Sequence, residues 1–248
     1  MNHSSISRAK SAGAASSCCA ALAAALVACS STPPPATPNI AEAAPVVTEK
    51  IDPGPTYMES DIGGMNEEAM DQAFASLQHP LQSCLEEGVS RVSELGGHFK
   101  LSLRIGRQGG VKWVHLSEST LGDRDTEKCV IELARGKTWP RPLGGEGLAE
   151  KSFDIDPRAE PITWESKRVR RALSYAHTQL ARCRKGVPGQ FVATAYVRPD
   201  GRVAAAGVAT PHERGEEAAD CMVDTIRKLR FGSPGSRAAK VSFELPET

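Results

Sequence analysis

The chain has 248 residues and carries 30 basic and 30 acidic side chains, so its formal net charge at pH 7 is zero. A chain without net charge has no strong overall electric field with which to attract a polyanion. The composition therefore argues against nucleic acid as a partner.

Residues 1–28 read as a secretory signal peptide. Arg8 and Lys10 precede an uncharged stretch of small and apolar residues, 11–28, which is the order typical of such leaders. The stretch is shorter than the about 20 apolar residues that a spanning helix needs. Removal of the leader leaves 28 basic and 30 acidic residues. Export also separates the chain from nucleic acid.

The leader ends in Leu26-Val27-Ala28-Cys29, which resembles the lipobox of bacterial lipoproteins. The resemblance implies that Cys29 becomes the first residue and carries acyl chains such as palmitate, and two or more chains anchor a protein stably. Ordinary cleavage nearby, for example after Ala25, would instead leave Cys29 as a free thiol. The residue after Cys29 is Ser30, and not the aspartate that retains lipoproteins at the inner membrane of enteric bacteria. We therefore expect the periplasmic face of the outer membrane.

Residues 29–60 read as the lipidated cysteine followed by a Pro-rich tether. Seven of the 17 prolines of the chain lie between residues 30 and 60, and Pro-rich segments favour extended conformations. We expect the tether to hold the folded part away from the membrane.

The rest of the chain contains an internal repeat. The stretch from Gly97 aligns with the stretch from Gly189 without gaps, at an offset of 92 residues that extends to the pair Cys129 and Cys221. The offset becomes 99 upstream and 90 downstream, where Phe153 aligns with Phe243. The pattern predicts a tandem duplication, with repeat 1 at 61–158 and repeat 2 at 159–248.

Each repeat predicts the order helix, strand, strand, helix, strand. Apolar residues first recur every three or four positions, as on one face of a helix. They then alternate with polar residues on both sides of a Gly-containing turn, which is typical of a β-hairpin. Pro80 should kink or divide the first helix. We predict an α+β fold of two tandem αββαβ repeats, each a three-stranded antiparallel sheet with two helices packed on one face.

Four cysteines remain after the leader is removed and Cys29 is lipidated, namely Cys84, Cys129, Cys183 and Cys221. An even set in an exported protein favours disulfides. Cys84 with Cys129 and Cys183 with Cys221 is the only pairing that keeps both bonds within a repeat. A zinc site of four cysteines is the alternative, although none of them lies in a Cys-x-x-Cys pair.

The motifs "CLEEG", "GHFKLSLRIGRQGGV", "EKCVIEL" and "WPRP" resemble the TonB C-terminal domain, and more closely its AgmX/PglI-type variant from myxobacterial motility and envelope proteins. The likeness covers residues 66–156 and 164–246. Repeat 2 departs from it at "RFGSP" and by small residues at 204–207. The resemblance implies a protein-binding module, here without the inner-membrane helix that couples TonB proteins to a proton-driven motor.

No catalytic motif is present. The sequence lacks Gly-x-Ser-x-Gly, His-Glu-x-x-His and a P-loop, and its six histidines show no metal-ligand spacing. We therefore expect a non-enzyme with no cofactor, no metal site and no catalytic residue. The favoured function is an adaptor for an unknown envelope protein, in a motility or transport machine. The alternative is a structural lipoprotein that contacts the cell wall or anionic lipid.

The last strand of each repeat is the candidate partner-binding edge, because an unpaired edge can accept a partner's strand. The candidate residues are Ser152, Phe153, Asp154, Ile155, Val241, Ser242, Phe243 and Glu244, with Trp113 as an aromatic anchor. In the alternative, Trp113 is core, and Lys151, Asp154, Lys240 and Glu244 are edge charges that prevent pairing.

The first helices of the two repeats carry opposite charge. Residues 65–95 contain six acidic residues and one basic residue, whereas residues 163–185 contain seven basic residues and one acidic residue. The basic face consists of Lys167, Arg168, Arg170, Arg171, Arg182, Arg184 and Lys185. It could be a solvated surface, could meet the acidic helix within a chain or in weak self-association, or could meet anionic lipid headgroups.

Overall fold

The computed structural model of the chain describes residues 51–60 and 64–246, with side chains from residue 64 onward. All of these residues belong to one structural unit, Val47–Thr248. They form a mixed α+β fold with two sheets. The predicted signal peptide, Cys29 and the part of the predicted tether before residue 51 lie outside the described residues.

The first half of the described chain, residues 51–158, contains one four-stranded sheet and three helices. Its elements are β1 (Ile51–Ser60), α1 (Glu67–Ala75), α2 (Gln78–Arg91), β2 (Gly97–Ile105), β3 (Val111–Ser119), α3 (Arg124–Gly136) and β4 (Gly147–Ile155). The strand order is β1-β4-β2-β3, and all neighbours are antiparallel. The prediction of three strands is wrong here, because the end of the predicted tether forms β1.

The second half, residues 159–246, also contains a four-stranded sheet. Its elements are β5 (Ile162–Trp164), α4 (Arg170–Cys183), β6 (Val192–Val197), β7 (Val203–Ala209), α5 (Glu216–Arg227) and β8 (Ala239–Glu244). The strand order is β5-β8-β6-β7, in which only β5 is parallel to its neighbour. The three-residue strand β5 was not predicted.

Local sequence accounts for the division of the first helical region. The Asn66 side chain caps α1 by accepting a hydrogen bond of 2.8 Å from the Ala69 amide. The region is divided at Ser76 and Leu77, and Pro80 is the third residue of α2. A proline fits there because the first turn of a helix does not use its amide hydrogens.

Each half has its own apolar core and its own disulfide. In β2 the alternate residues Phe99, Leu101, Leu103 and Ile105 are buried, as predicted. Disulfides join Cys84 to Cys129 and Cys183 to Cys221, with Cα atoms 5.8 Å and 5.4 Å apart. The predicted pairing is confirmed, and it uses all four thiols that a zinc site would have required.

The two hairpin turns are built alike. Gly109 and Gly201 have φ angles of 83° and 80°, a region that favours glycine. Their carbonyls accept hydrogen bonds of 2.8 Å from the amides of Trp139 and Phe231. An aromatic residue after the second helix thus closes the same turn in both halves.

The halves meet where β7 and α5 pack against α3 and β3. The amide of Thr210 donates to the carbonyl of Leu116 at 3.0 Å, and the Tyr196 hydroxyl lies 3.2 Å from both the amide and the carbonyl oxygen of Gly96. One face of the second sheet therefore covers part of the first half.

Candidate strand-binding site

The structure treats the two predicted binding edges differently. β4 is central, because β1 pairs with it from Gly147 to Ile155. In the second sheet, β5 pairs only with Ala239–Val241, so it covers the first half of β8 and ends there. Within the described residues, no strand pairs with Ser242–Glu244 on the side away from β6. The prediction that the last strand is an edge is therefore wrong for β4 and holds for the end of β8.

The backbone of β8 presents hydrogen-bonding groups to this open side. The Leu245 amide donates to the Phe191 carbonyl at 2.9 Å, so the odd-numbered residues of β8 exchange bonds with β6. In an antiparallel ladder the intervening residues point their amide and carbonyl groups the other way. The carbonyl of Ser242 and both backbone groups of Glu244 thus face the open edge, whereas the parallel register with β5 directs the Ser242 amide to the Trp164 carbonyl.

A groove runs between the open edge and α4. It consists of two adjoining depressions of about 400 and 420 Å³, which share Arg170, Leu173 and Glu244 in their walls. Ser166, Val192, Ser242 and Phe243 line one depression, and Ser174, His177, Gln190, Leu245 and Pro246 line the other. The groove therefore offers backbone hydrogen bonds on one wall and an arginine and a histidine on the other.

Trp113 does not belong to this groove. It lies on β3, opposite Arg104, and β2 separates it from β4. Trp113 is half-buried and lies outside the apolar core cluster. The structure thus brings Trp113 together with neither candidate strand, and the interpretation of Trp113 as a core residue is also wrong.

The interpretation of four charges as edge protection is largely wrong. Lys151 is buried, and its ammonium lies 3.4 Å from the Asp71 carboxylate. Lys240 donates to the Gly96 carbonyl at 2.6 Å, and its burial lowers its pKa to about 8. Asp154 lies on a strand that β1 covers. Glu244 is the one of the four that lies exposed on an open edge.

The predicted basic face separates into four environments. Arg184 is buried and donates to the carbonyls of Gly189, Leu245 and Pro246, so its assignment to an exposed face is wrong. Lys167 pairs with Glu165 and Lys185 with Glu217, at 2.5 Å and 3.6 Å. Arg170 lines the groove. Arg171 and Arg182 remain exposed on the outer side of α4, and Arg168 is exposed in the turn just before it.

The acidic and basic first helices do not pair within the chain. Across residues 51–60 and 64–246, no ion pair joins the acidic region 65–95 to the basic face. The halves are instead joined by charges on α3 and α5. Arg124 contacts Glu216 at 2.7 Å and Asp220 at 2.8 Å, while Arg227 contacts Asp123 at 3.7 Å.

Glu127 is a fully buried carboxylate at the contact between the halves, and sequence reasoning missed it. It accepts hydrogen bonds from the Ser119 hydroxyl at 2.6 Å and the Val208 amide at 3.1 Å. Burial raises its pKa, although these bonds and the charge of Arg124 oppose the shift. The small residues at 204–207 were the signal, because Gly207 gives Glu127 the room to approach β7.

His115 is a second buried group at this contact. It is 4% exposed, and its Nδ1 atom has no hydrogen-bond partner among the described residues, as is also true of both ring nitrogens of His212. Burial lowers the pKa of His115 to about 4. Among the described residues, no group of three or more His, Cys, Asp or Glu side chains is arranged to hold a metal ion. The same part of the chain contains no helix long and apolar enough to span a membrane.

No protein-family model, no curated protein and no solved structure matches this chain. The resemblance to TonB C-terminal domains therefore depends on the sequence motifs alone.

Proposed function

We propose that the chain is a lipid-anchored envelope protein, without catalytic activity, that captures an extended segment of a partner protein along β8. The observation that carries this proposal is the difference between the two sheets. β1 pairs with the whole of β4, whereas the corresponding part of β8, Ser242–Glu244, has no neighbour on its outer side within the described residues.

The first half serves as an internal precedent. Ser152–Asp154 aligns with Ser242–Glu244 at the downstream repeat offset, and Asp52 and Pro53 pair with Asp154 and Phe153. The two segments thus occupy equivalent places if the halves are tandem αββαβ repeats, which their equivalent disulfides and turn bonds support. A strand from another protein would complete the second sheet as β1 completes the first.

The resemblance to TonB C-terminal domains supports the same function, because such domains take up peptides at an edge strand. Backbone hydrogen bonds would supply affinity, and the side chains that line the groove would supply selectivity. Anchoring through Cys29 would hold this adaptor at the periplasmic face of the outer membrane. The partner is an envelope protein with an extended segment.

The test uses two substitutions of one residue. Glu244 has an exposed side chain and a backbone amide that faces the open edge. Glu244→Pro removes that amide hydrogen, which does not take part in the pairing of β8 with β6. Glu244→Ala removes the same side chain and keeps the amide hydrogen. Any difference between the variants reports on the backbone.

The partner would be captured from intact membranes by crosslinking, identified, purified and then titrated against both variants. The proline variant loses one hydrogen bond to the partner strand, and its ring keeps that strand from approaching β8 closely. The Glu244→Pro complex should therefore be about tenfold or more weaker than the Glu244→Ala complex. Equal affinities for the two variants would remove β8 as the binding edge.

A further inference from the structure

The outer side of α4 carries a continuous stripe of exposed residues. Val169, Leu173, Ala176, Leu180 and Cys183 are buried, at steps of four, three, four and three residues. On the exposed side, Arg168, Arg171, Tyr175, Thr178 and Arg182 recur at steps of three, four, three and four. This set is here called the arginine stripe. Arg168 lies in the short turn just before α4, and the part of the stripe on α4, from Arg171 to Arg182, extends over about 17 Å at 1.5 Å per residue.

The charges of the stripe are not neutralised by their surroundings. α4 contains no acidic residue. Within the described residues, Arg168, Arg171 and Arg182 have no ion pair, although the Arg168 guanidinium lies 5.2 Å from the centre of the Trp164 ring. That contact fixes the position of Arg168 and leaves its charge without an acidic partner.

The position of these charges is unfavourable for the helix itself. Positive charge near a helix N-terminus opposes the helix dipole, yet α4 begins with Arg170 and Arg171 and has no side-chain cap. By contrast, α1 and α5 begin with pairs of glutamates. Local helix stability therefore does not explain the arginines.

Tyr175 indicates the kind of surface that supplies the anions. Its side chain is 77% exposed in the middle of the stripe. Tyrosine has an apolar ring and a polar hydroxyl, a combination that favours the boundary between lipid headgroups and acyl chains. No residue of the stripe lines the groove that suits a peptide, which runs along β8.

We propose that the arginine stripe binds the headgroups of anionic phospholipids and so orients the protein on the membrane surface. This inference goes beyond strand capture and does not depend on it, because the stripe and the open edge of β8 share no residue. Arginine guanidinium groups pair with phosphate oxygens through two parallel hydrogen bonds. The ring of Tyr175 would add apolar contact between the arginines.

The test measures vesicle binding without a lipid anchor. The chain from Ser30 onward contains all residues that the structure describes, and it would be sedimented with vesicles of phosphatidylglycerol and phosphatidylethanolamine or of phosphatidylcholine alone. Each basic residue at an anionic surface strengthens binding about fivefold. Arg168→Gln, Arg171→Gln and Arg182→Gln together should therefore weaken binding to the anionic vesicles about a hundredfold.

The control changes the same number of charges elsewhere. Arg107, Arg158 and Arg214 are exposed and lie outside α4, so their joint replacement by Gln should have little effect. Tyr175→Ala should weaken binding severalfold, and this loss should persist at about 0.5 M salt, where charge interactions are screened.

Equal losses in the two triple variants, or equal binding of the wild type to phosphatidylcholine, would overturn the proposal. Glu244→Pro distinguishes the two proposals, because it should retain vesicle binding even when it loses the partner protein.

Discussion

Gly207 and Glu127 lie in close contact where the two halves meet. A methyl group at Gly207 would lie 2.6 Å from the Cδ atom of Glu127, a distance that requires neighbouring atoms to move. The run of small residues at 204–207 was visible in the sequence, but its reason lay about 80 positions away along the chain. Because the contact with Glu127 cannot be recognised from the sequence, the small residues at 204–207 could be noted but not explained.

At this residue we expect Gly207→Ala to lower the free energy of unfolding by about 1–3 kcal/mol, because an added methyl group overpacks a rigid contact. Urea denaturation would measure the change. Gly232→Ala is the matched control, since a methyl group there has no neighbour within 4 Å. Equal stability of the two variants would contradict the assigned contact.

His115 predicts a loss of stability in acid. Its pKa is about 4 in the folded chain, against 6.5 for an unperturbed histidine. Between these values the unfolded chain binds a proton that the folded chain does not, so the free energy of unfolding should fall as the pH falls. The loss from this residue should reach at most about 3 kcal/mol near pH 4.

His115→Leu should remove this part of the pH dependence, because leucine does not titrate. The change should cost no hydrogen bond at Nδ1, which has no partner in the part of the chain that the structure describes. The relevant measurement is the difference between the stability curves of the wild type and the variant. Glu127 and Glu213 are present in both chains, so their contributions should largely cancel. A difference that stays constant from pH 7 to pH 4 would refute the assignment.

At the scale of elements, periodicity predicted the helices and strands that form the two cores. The alternation at Phe99, Leu101, Leu103 and Ile105 predicted β2 and its buried side. Pro80 predicted that the first helical region is divided, as it is into α1 and α2. The fourth strand of each sheet could not be found in this way. β1 contains Pro53 and Pro55, which argue against a strand, and β5 has three residues.

These two missed strands decide which edge is open. The sequence identified the end of β8 as a candidate edge, and equally identified the end of β4. Only the pairing of β1 and β5 separates the two, because β1 covers all of β4 and β5 stops at Val241. The α4 wall of the groove also depends on tertiary packing, so sequence reasoning did not connect Leu173 or His177 with the site.

The disulfide between α4 and α5 gives a prediction at this scale. Cys183 and Cys221 are 38 residues apart, and a bond that closes such a loop contributes about 4 kcal/mol when its effect is the lost entropy of the unfolded chain. Cys183→Ala with Cys221→Ala should lower the free energy of unfolding by about that amount. Both proteins would be unfolded in urea without a reductant, so that the bond between Cys84 and Cys129 stays intact in each. A loss below about 1 kcal/mol would show that the bond between Cys183 and Cys221 adds little.

At the scale of the whole molecule, the two halves are joined by polar contacts and by Tyr196 and Ala205 of the second half, which pack into the core of the first. The sequence predicted two units of opposite helix charge, and attraction between those helices was a reasonable hypothesis. The structure instead uses Arg124 with Glu216 and Asp220. Those residues are few and lie in ordinary amphipathic helices, so no local pattern distinguished them from surface charges.

The predicted anchor concerns the whole molecule as well. We expect a radioactive fatty acid to label the wild type and not Cys29→Ser, because the cysteine sulfur is the attachment point that the lipobox resemblance implies. The variant should also appear in the soluble fraction. Ser30→Ala is a neighbouring control that should keep the label, whereas label on Cys29→Ser would contradict the lipoprotein proposal.

The central claim is that a partner strand completes the second sheet at the open half of β8, and amide hydrogen exchange tests it most directly. In the free protein, the amide of Glu244 should exchange quickly. The amides of Val241 and Phe243, which pair with β6, and of Ser242, which β5 covers at Trp164, should exchange slowly. Addition of the purified partner should protect Glu244 and leave Asp154 unchanged. A partner that binds tightly while Glu244 still exchanges at its free rate would contradict the claim.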